Sequence, residues 1–256
     1  MKFRFITLAV ALLLLPAMAF AVTCAAPTVV PADGRVVDFD FVPVSGTNYY
    51  QFDATAGKSY SVEVRQDYDD INTDLTVTVG DIGSPCPTLT TLANTTLTTA
   101  SEPALPANAT RVSFTAAATG TYKISVANGA TLGHYISVSV AETTIYNARW
   151  STFSSFVTQW GFKNTTSATV TVKMVVTDTL GSPTISPVTS TFTVPAGSEV
   201  FKITLPTDLN IPGQHGGFAL VTHNGPPGAI QADAYFINPN GSVIVPALIG
   251  PVRDKH

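Results

Sequence analysis

The stretch GTYKISVANGATLGHYISVSV, residues 120–140, alternates apolar and polar side chains on both sides of a glycine-containing turn. Tyr122, Ile124 and Val126 occupy every second position before the turn, and Ile136 and Val138 continue the pattern after it. Side chains of a β-strand point alternately to its two faces, so a period of two predicts a strand with one buried face. The stretch therefore predicts two half-buried strands.

The same period recurs through the first half of the chain. It is found in residues 35–42, 47–53, 57–65, 74–79 and 110–116. Seven short strands with turn residues between them predict a β-sandwich or an open barrel. The interval 80–109 is rich in Thr, Pro and Asn, and we expect a long surface excursion there with at most one weak strand.

The residue composition and the pattern of apolar residues change after residues 141–144. The second half holds both tryptophans and new alternating runs, of which ATVTVKMVVTD at 168–178 is the clearest, and helical periodicity is absent. The sequence thus predicts an all-β protein with two β-sandwich domains in tandem, at residues 22–141 and 142–256. Each is long enough to enclose one hydrophobic core.

Charge is scarce in this chain. Charged residues make up 12% of the sequence, the formal net charge is −4, and there are 18 glycines and 18 prolines. Abundant β-branched residues with frequent Gly and Pro favour sheets and turns. An acidic chain without a basic patch argues against nucleic acid or an anionic membrane as the partner.

The first 21 residues have the pattern of a secretory signal peptide. Lys2 and Arg4 precede an apolar run from Phe5 to Leu15, and Ala19-Phe20-Ala21 fits the small-x-small cleavage site. No later segment has the ~20 apolar residues that a membrane-spanning helix needs. We expect export to the periplasm, the cell surface or the medium, with no transmembrane segment in the mature chain.

The chain has two cysteines, Cys24 and Cys86. Cysteines of exported proteins usually pair, and the entropic model gives roughly 4 kcal/mol for a loop of this length. A disulfide is the expected state. Lipidation of Cys24 is disfavoured, because Thr23 is not the small residue that usually precedes a lipid-modified cysteine.

The first half resembles the bacterial pre-peptidase C-terminal domain. The stretches that carry the resemblance are YYQFDATAGKSYSVEV, NTDLTVTV and GTYKISVANGATLGHYISVSV, which is similar to the closing hairpin of that family, and they span roughly residues 35–141. The resemblance implies a non-catalytic β-sandwich that accompanies exported enzymes. VTVKMVVTDTLGSP and FTVPAGSEVFKITLP give the second half a weaker resemblance to immunoglobulin-like accessory sandwiches.

An acidic stretch, RQDYDDINTDLTV at residues 65–77, suggests calcium as the only candidate cofactor. Its spacing imitates an EF-hand, but Leu75 stands where that loop needs glycine, which excludes an EF-hand. A non-helical calcium site remains open, and so does a solvated turn in which Asp74 binds backbone amides. The candidate ligands are Asp67, Asp69, Asp70, Asn72 and Asp74.

Catalytic signals are weak. The chain has no GxSxG elbow, HExxH helix or phosphate-binding glycine loop, and its four histidines are scattered. His215 and His223 are separated by a predicted strand, so we expect them near its opposite ends as ordinary histidines. The sequence predicts that the protein is not an enzyme.

The segment ARWSTFSSFVTQWGF, residues 148–162, is dense in aromatic residues. Such side chains build stacking platforms for sugars or patches for protein partners, and they equally fill the core of a sandwich. The candidate binding aromatics are Trp150, Phe153, Phe156, Trp160 and Phe162.

Together these features predict a secreted, non-catalytic binding or structural accessory protein of the bacterial surface or extracellular space. Its expected partners are a protein or polysaccharide at the cell surface, or further copies of itself, because a chain poor in charge has little to guard its edge strands. A calcium-dependent adhesin and a secreted hydrolase that uses acids of the 67–74 loop remain as alternatives.

Overall fold

The computed structural model describes residues 23–66, 75–96, 108–129, 132–205, 207–238, 244–247 and 249–251. Within these ranges the regular structure is β-strand except for one 3-10 turn at Phe153–Ser155, which confirms the predicted all-β fold. The predicted signal peptide, residues 1–21, lies outside the described residues. No described helix is long and apolar enough to cross a membrane.

Nine strands of the described residues precede residue 143. They are β1 (Thr28–Val29), β2 (Asp33–Val42), β3 (Thr47–Ala54), β4 (Ser59–Gln66), β5 (Leu75–Gly80), β6 (Thr91–Thr96), β7 (Ala109–Thr115), β8 (Gly120–Asn128) and β9 (His134–Glu142). They form two sheets, ordered β1-β3-β8-β5-β6 and β2-β9-β4-β7. All seven strands predicted from alternation are present, with bounds that differ by a few residues at most.

The strands β8 and β9 correct one expectation. They lie in different sheets, so the segment between them crosses from one sheet to the other and does not close a hairpin. The crossing has a physical reason, since Ile124 and Ile136 are both fully buried in the same core and reach it from opposite sheets.

Aromatic side chains join the two sheets of this first set. Phe52 and Tyr122 extend from one sheet, and Tyr60 and Phe114 from the other. The ring centroids of Phe52 and Tyr60 lie 5.5 Å apart, and those of Phe114 and Tyr122 lie 5.7 Å apart, within the range of favourable aromatic packing. The sheets therefore form a sandwich around one core.

Nine more strands are described after residue 144. They are β10 (Ile145–Ser151), β11 (Val157–Asn164), β12 (Val170–Asp178), β13 (Val188–Val194), β14 (Glu199–Ile203), β15 (Gly216–His223), β16 (Ile230–Ile237), β17 (Ile244–Ala247) and β18 (Ile249–Pro251). Their two sheets have the orders β13-β12-β15-β10-β18 and β14-β11-β16-β17. Trp150 and Met174 from the first of these sheets and Trp160 and Phe162 from the second are fully buried in a separate core.

One disulfide joins distant parts of the first set of strands, and one hydrogen bond links the two sets. The predicted disulfide is present, since Cys24 and Cys86 are bonded and their Cα atoms lie 5.6 Å apart, which ties the segment before β1 to the loop after β5. Further along, Ser113 Oγ of β7 donates to the carbonyl of Asn224, just after β15, over 3.4 Å. The sheets and cores are consistent with two domains, and the boundary between residues 141 and 142 stays a prediction.

Candidate functional site

The candidate calcium ligands lie outside the described residues, because all five fall between residues 67 and 74, in the connection from β4 to β5. Calcium binding therefore stays a prediction, which a comparison of thermal unfolding with calcium and with a chelator would test. Among the described residues, no three His, Cys, Asp or Glu side chains lie close enough together to hold a metal ion.

The predicted aromatic platform is divided by the fold. Trp150, Trp160 and Phe162 are fully buried between the sheets of the second set. The indole N–H of Trp150 donates to the carbonyls of Thr177 and Phe218, at 3.0 and 3.2 Å. These three rings have no surface for a ligand, because the inward face of each strand carries them into the core.

Of the two other candidates of this segment, Phe153 is the first residue of the 3-10 turn and Phe156 directly follows it. Phe153 and Phe156 are half-buried, and Phe156 N–H donates to the carbonyl of Phe153 over 3.0 Å. The five aromatic residues are thus not brought together as one exposed surface.

A buried Asp–His pair lies at the ends of β12 and β15. Asp178 Oδ2 lies 2.8 Å from His215 Nδ1, and the Asp178 side chain is fully buried. The backbone N–H of Ile185 donates to the same oxygen over 3.0 Å. The other oxygen, Oδ1, accepts from the N–H groups of Leu180, Gly181 and Gly216 at 3.2, 2.9 and 3.2 Å.

This ring of donors decides the charge of Asp178. Burial disfavours the ionised carboxylate, but the hydrogen bonds from Ile185, Gly181, His215 and Gly216 outweigh burial and hold the pKa of Asp178 below its ordinary value. A carboxylate that accepts four backbone N–H groups fixes the 179–185 loop against the start of β15. We interpret the pair as a structural node, although an Asp–His contact is also the usual partner arrangement in acyl-transfer enzymes.

A different surface gathers groups suited to ligand contact. On the outward face of the β14-β11-β16-β17 sheet, Gly161 in β11 is directly opposite Phe201 in β14 and Asp233 in β16. Glu199 and Tyr235 occupy the next positions on the same face, since they pair with Lys163 and Gln159. We name this surface the Gly161 face.

The glycine leaves room that two carboxylates fill. A Cβ atom at position 161 would clash with Asp233 Oδ1 and lie 3.1 Å from Glu199 Oε1. The backbone N–H of Gly161 donates to Asp233 Oδ1 over 3.1 Å. Both acidic groups therefore lie over the central strand, and no described cationic side chain is within ion-pair distance of either.

Aromatic rings border these acids. The Tyr235 hydroxyl donates to Asp233 Oδ2 over 3.0 Å, and this hydrogen bond, with the adjacent Asp233 charge, raises the pKa of the Tyr235 phenol. Tyr235 therefore stays protonated and orients the carboxylate. On the other side of Gly161, Phe201 leaves 52% of its surface exposed.

The Gly161 face thus combines an exposed ring with hydrogen-bond acceptors and amides. Phe201 offers a stacking surface, Asp233 and Glu199 offer acceptors, and Gln159 is half-buried beside them. Sugar rings are complementary to such a surface, because they have an apolar face that stacks on aromatic rings and a rim of hydroxyl donors.

No local pattern in the sequence predicted this surface. Its residues come from three strands that are distant in sequence, and only the strand order brings them side by side. A signal was present in IQADAYFI at 230–237, where Gln231, Asp233 and Tyr235 alternate with apolar residues, and in the glycine at the centre of a strand. A glycine inside a strand often marks a close approach from elsewhere.

The four sheets define an all-β protein, and the Gly161 face lies on the outward side of one of them. Residues 46–128 match the family model of the bacterial pre-peptidase C-terminal domain, so the first set of strands contains that domain and the resemblance is confirmed. The matched region lies inside the 35–141 range expected from the sequence. A comparison with the curated proteins found no match.

Solved structures give distant likenesses. The pre-peptidase C-terminal domain of a Bacillus anthracis collagenase is 14% identical, with 44% of this chain and 93% of that chain covered and a TM-score of 0.31. Aeromonas hydrophila PliG, a periplasmic inhibitor of g-type lysozyme, is 17% identical, with 44% and 96% covered and a TM-score of 0.31.

A third likeness extends over more of the chain. The extracellular region of zebrafish Gpr126/Adgrg6 is 10% identical, with 83% of this chain and 36% of that chain covered and a TM-score of 0.28. These TM-scores are too low for the likenesses to assign a function.

Proposed function

We propose that this protein is an exported, non-catalytic accessory protein that binds a polysaccharide through the Gly161 face. The pre-peptidase C-terminal domain at residues 46–128 supports the accessory part, because that domain is non-catalytic and accompanies exported proteins. The observation that carries the binding part is the half-exposed Phe201 ring beside the carboxylates that lie over Gly161.

The charge of this surface narrows the class of polysaccharide. Glu199 and Asp233 lie near each other, and Lys163 directs its ammonium group to the carbonyl of Gly197. A polymer of uronic acids would meet like charge here. Neutral or amino sugars instead offer donors to the carboxylates, so we expect these to bind and acidic polysaccharides to be rejected.

The experiment is a binding assay of the exported protein against neutral, amino-bearing and uronic-acid polysaccharides. Phe201→Ala removes the stacking ring, and we expect the affinity for the bound polymer to fall roughly tenfold, equivalent to about 1.4 kcal/mol. Tyr135→Ala is the matched control, because Tyr135 is an aromatic residue of β9 with 46% exposure, outside the Gly161 face.

Two results would contradict the proposal. Equal losses in both variants would show that the Gly161 face is not the binding surface. Release of soluble sugar from any bound polymer would show that the protein is an enzyme.

A further inference from the structure

The seven-residue strand β13 is an unusual edge. It ends the β13-β12-β15-β10-β18 sheet, and β12 is its only partner among the described strands. Its register with β12 is unbroken from Val188↔Val176 to Val194↔Val170. One side of its backbone therefore presents N–H and C=O groups to a further strand.

The other edge strands of the described sheets have features that hinder pairing with a strand of another molecule. The strand β2 has two register irregularities and β6 has one, and β1 is two residues long. Charged residues stand in β7 and β14, and prolines in the short β17 and β18. Of the described edges, β13 alone combines seven residues and an unbroken register with neither charge nor proline.

The sequence of β13 is close to a palindrome. VTSTFTV reads nearly the same in both directions about Thr191. Antiparallel pairing of two copies about that residue would set Val188 opposite Val194, Thr189 opposite Thr193, and Thr191 opposite itself. All three threonines lie on the exposed face, and cross-strand threonine pairs are favourable.

Charge is compatible with this pairing. The nearest cation on the same face is Lys173, which is opposite Thr191 on β12. In a pair of copies, the two β12 strands that carry Lys173 would be three strand spacings apart, about 14 Å. This distance exceeds the electrostatic screening length in physiological salt. No like charges would meet on the threonine-bearing face of the junction.

Prolines limit the pairing at both ends of β13. Pro187 and Pro195 flank the strand and cannot donate backbone hydrogen bonds.

Two-fold symmetry limits the assembly to two copies. Both copies contribute the same strand to the junction, so neither keeps a free β13 edge for a third copy.

We propose that β13 pairs with β13 of a second copy, which joins two five-stranded sheets into one of ten strands. The occupant is this chain itself, because the strand is complementary to its own reverse. This assembly is separate from the Gly161 face, which lies on the other sheet.

The test measures molar mass by light scattering and sedimentation over a wide range of concentration. Wild-type protein is expected to shift from monomer to dimer. Thr191→Asp and Thr191→Lys place like charges opposite each other across the axis, and each variant alone is expected to remain monomeric. An equimolar mixture of the two restores opposite charges and is expected to dimerise.

Thr171→Asp and Thr171→Lys are the matched controls, since Thr171 is exposed on the same face, one strand inside the edge, opposite Thr193. They are expected to dimerise like the wild type. A thermal scan of each variant establishes that it is folded. A monomeric wild type at all concentrations, dimers of the single Thr191 variants, or a monomeric mixture would each overturn the proposal.

Discussion

Asp178 illustrates how much one side chain can organise. Its two oxygens divide the donors of the 179–185 loop and of β15 between them, with Ile185 and His215 on Oδ2 and Leu180, Gly181 and Gly216 on Oδ1. No apolar residue could replace these contacts, because each buried N–H would then lack an acceptor.

The variant Asp178→Asn tests this role. An amide can supply one acceptor oxygen, but its NH₂ group would then face donors, and we expect a loss of about 2–3 kcal/mol in the free energy of unfolding at neutral pH. Asp53→Asn is the control, since Asp53 is exposed and accepts from Thr121 Oγ1. Urea unfolding measures both.

The pH dependence of the same residue gives a second readout. The pKa of Asp178 is lowered from 3.8, so its stabilising effect is present above pH 3.8 and is lost as the pH falls through the lower folded-state value. The asparagine variant lacks this part of the acid sensitivity. An unchanged acid profile in the variant would contradict the structural role.

The role of Asp178 could not be predicted from the sequence. Asp178 and His215 are 37 positions apart, and nothing in either local pattern indicates the other. Trp150 and Trp160 pose the opposite problem, because dense aromatics are equally typical of a core and of a binding surface. Their burial depends on which face of each strand the sheet order directs inward.

At the scale of elements, alternation predicted the strands well and their partners poorly. The period of two in Val170, Val172, Met174 and Val176 identifies β12 and its buried face, since burial itself produces that pattern. Pairing between distant strands leaves no such local trace. The segment between β8 and β9 therefore suggested a hairpin, whereas the strands lie in two sheets.

Gly161 in strand β11 leaves space for two carboxylates from the neighbouring strands. Gly161→Ala adds a Cβ atom that would push aside the carboxylate tips of Asp233 and Glu199, which are flexible enough to move. We expect polysaccharide affinity to fall at least fivefold while the unfolding free energy changes by less than about 1 kcal/mol.

A matched substitution separates these effects. Gly57→Ala has open space for the methyl group but a φ of +78°, so it should cost stability without affecting binding. Retained affinity in Gly161→Ala would argue against carboxylate placement as the basis of binding.

At the scale of the whole molecule, His223 lies where the two sets of strands approach each other. It is buried at the end of β15, one residue before the Asn224 carbonyl that accepts from Ser113. Burial lowers its pKa to about 4, and the charge of Arg111 in β7 acts in the same direction. Protonation would thus place a second cation near Arg111, which is itself 3.6 Å from Glu63.

Acid should therefore lower the free energy of unfolding at pH values above those at which the carboxylates titrate. The unfolded chain binds a proton at His223 below pH 6.5, whereas the folded chain does so only near pH 4. The unfolding free energy should fall across this window by up to about 3 kcal/mol. In His223→Leu that decline should largely disappear, as measured by denaturant unfolding at successive pH values; an identical slope in the variant would contradict the prediction.

The disulfide has a mechanical consequence. If the protein is held between two anchors and pulled from its ends, tension passes directly from Cys24 to Cys86, which are 62 positions apart in sequence. Roughly 220 Å of extended chain is thus shielded from the force. Only reduction of that bond would release this length, so under oxidising conditions the strands β1 to β5 bear none of the applied force.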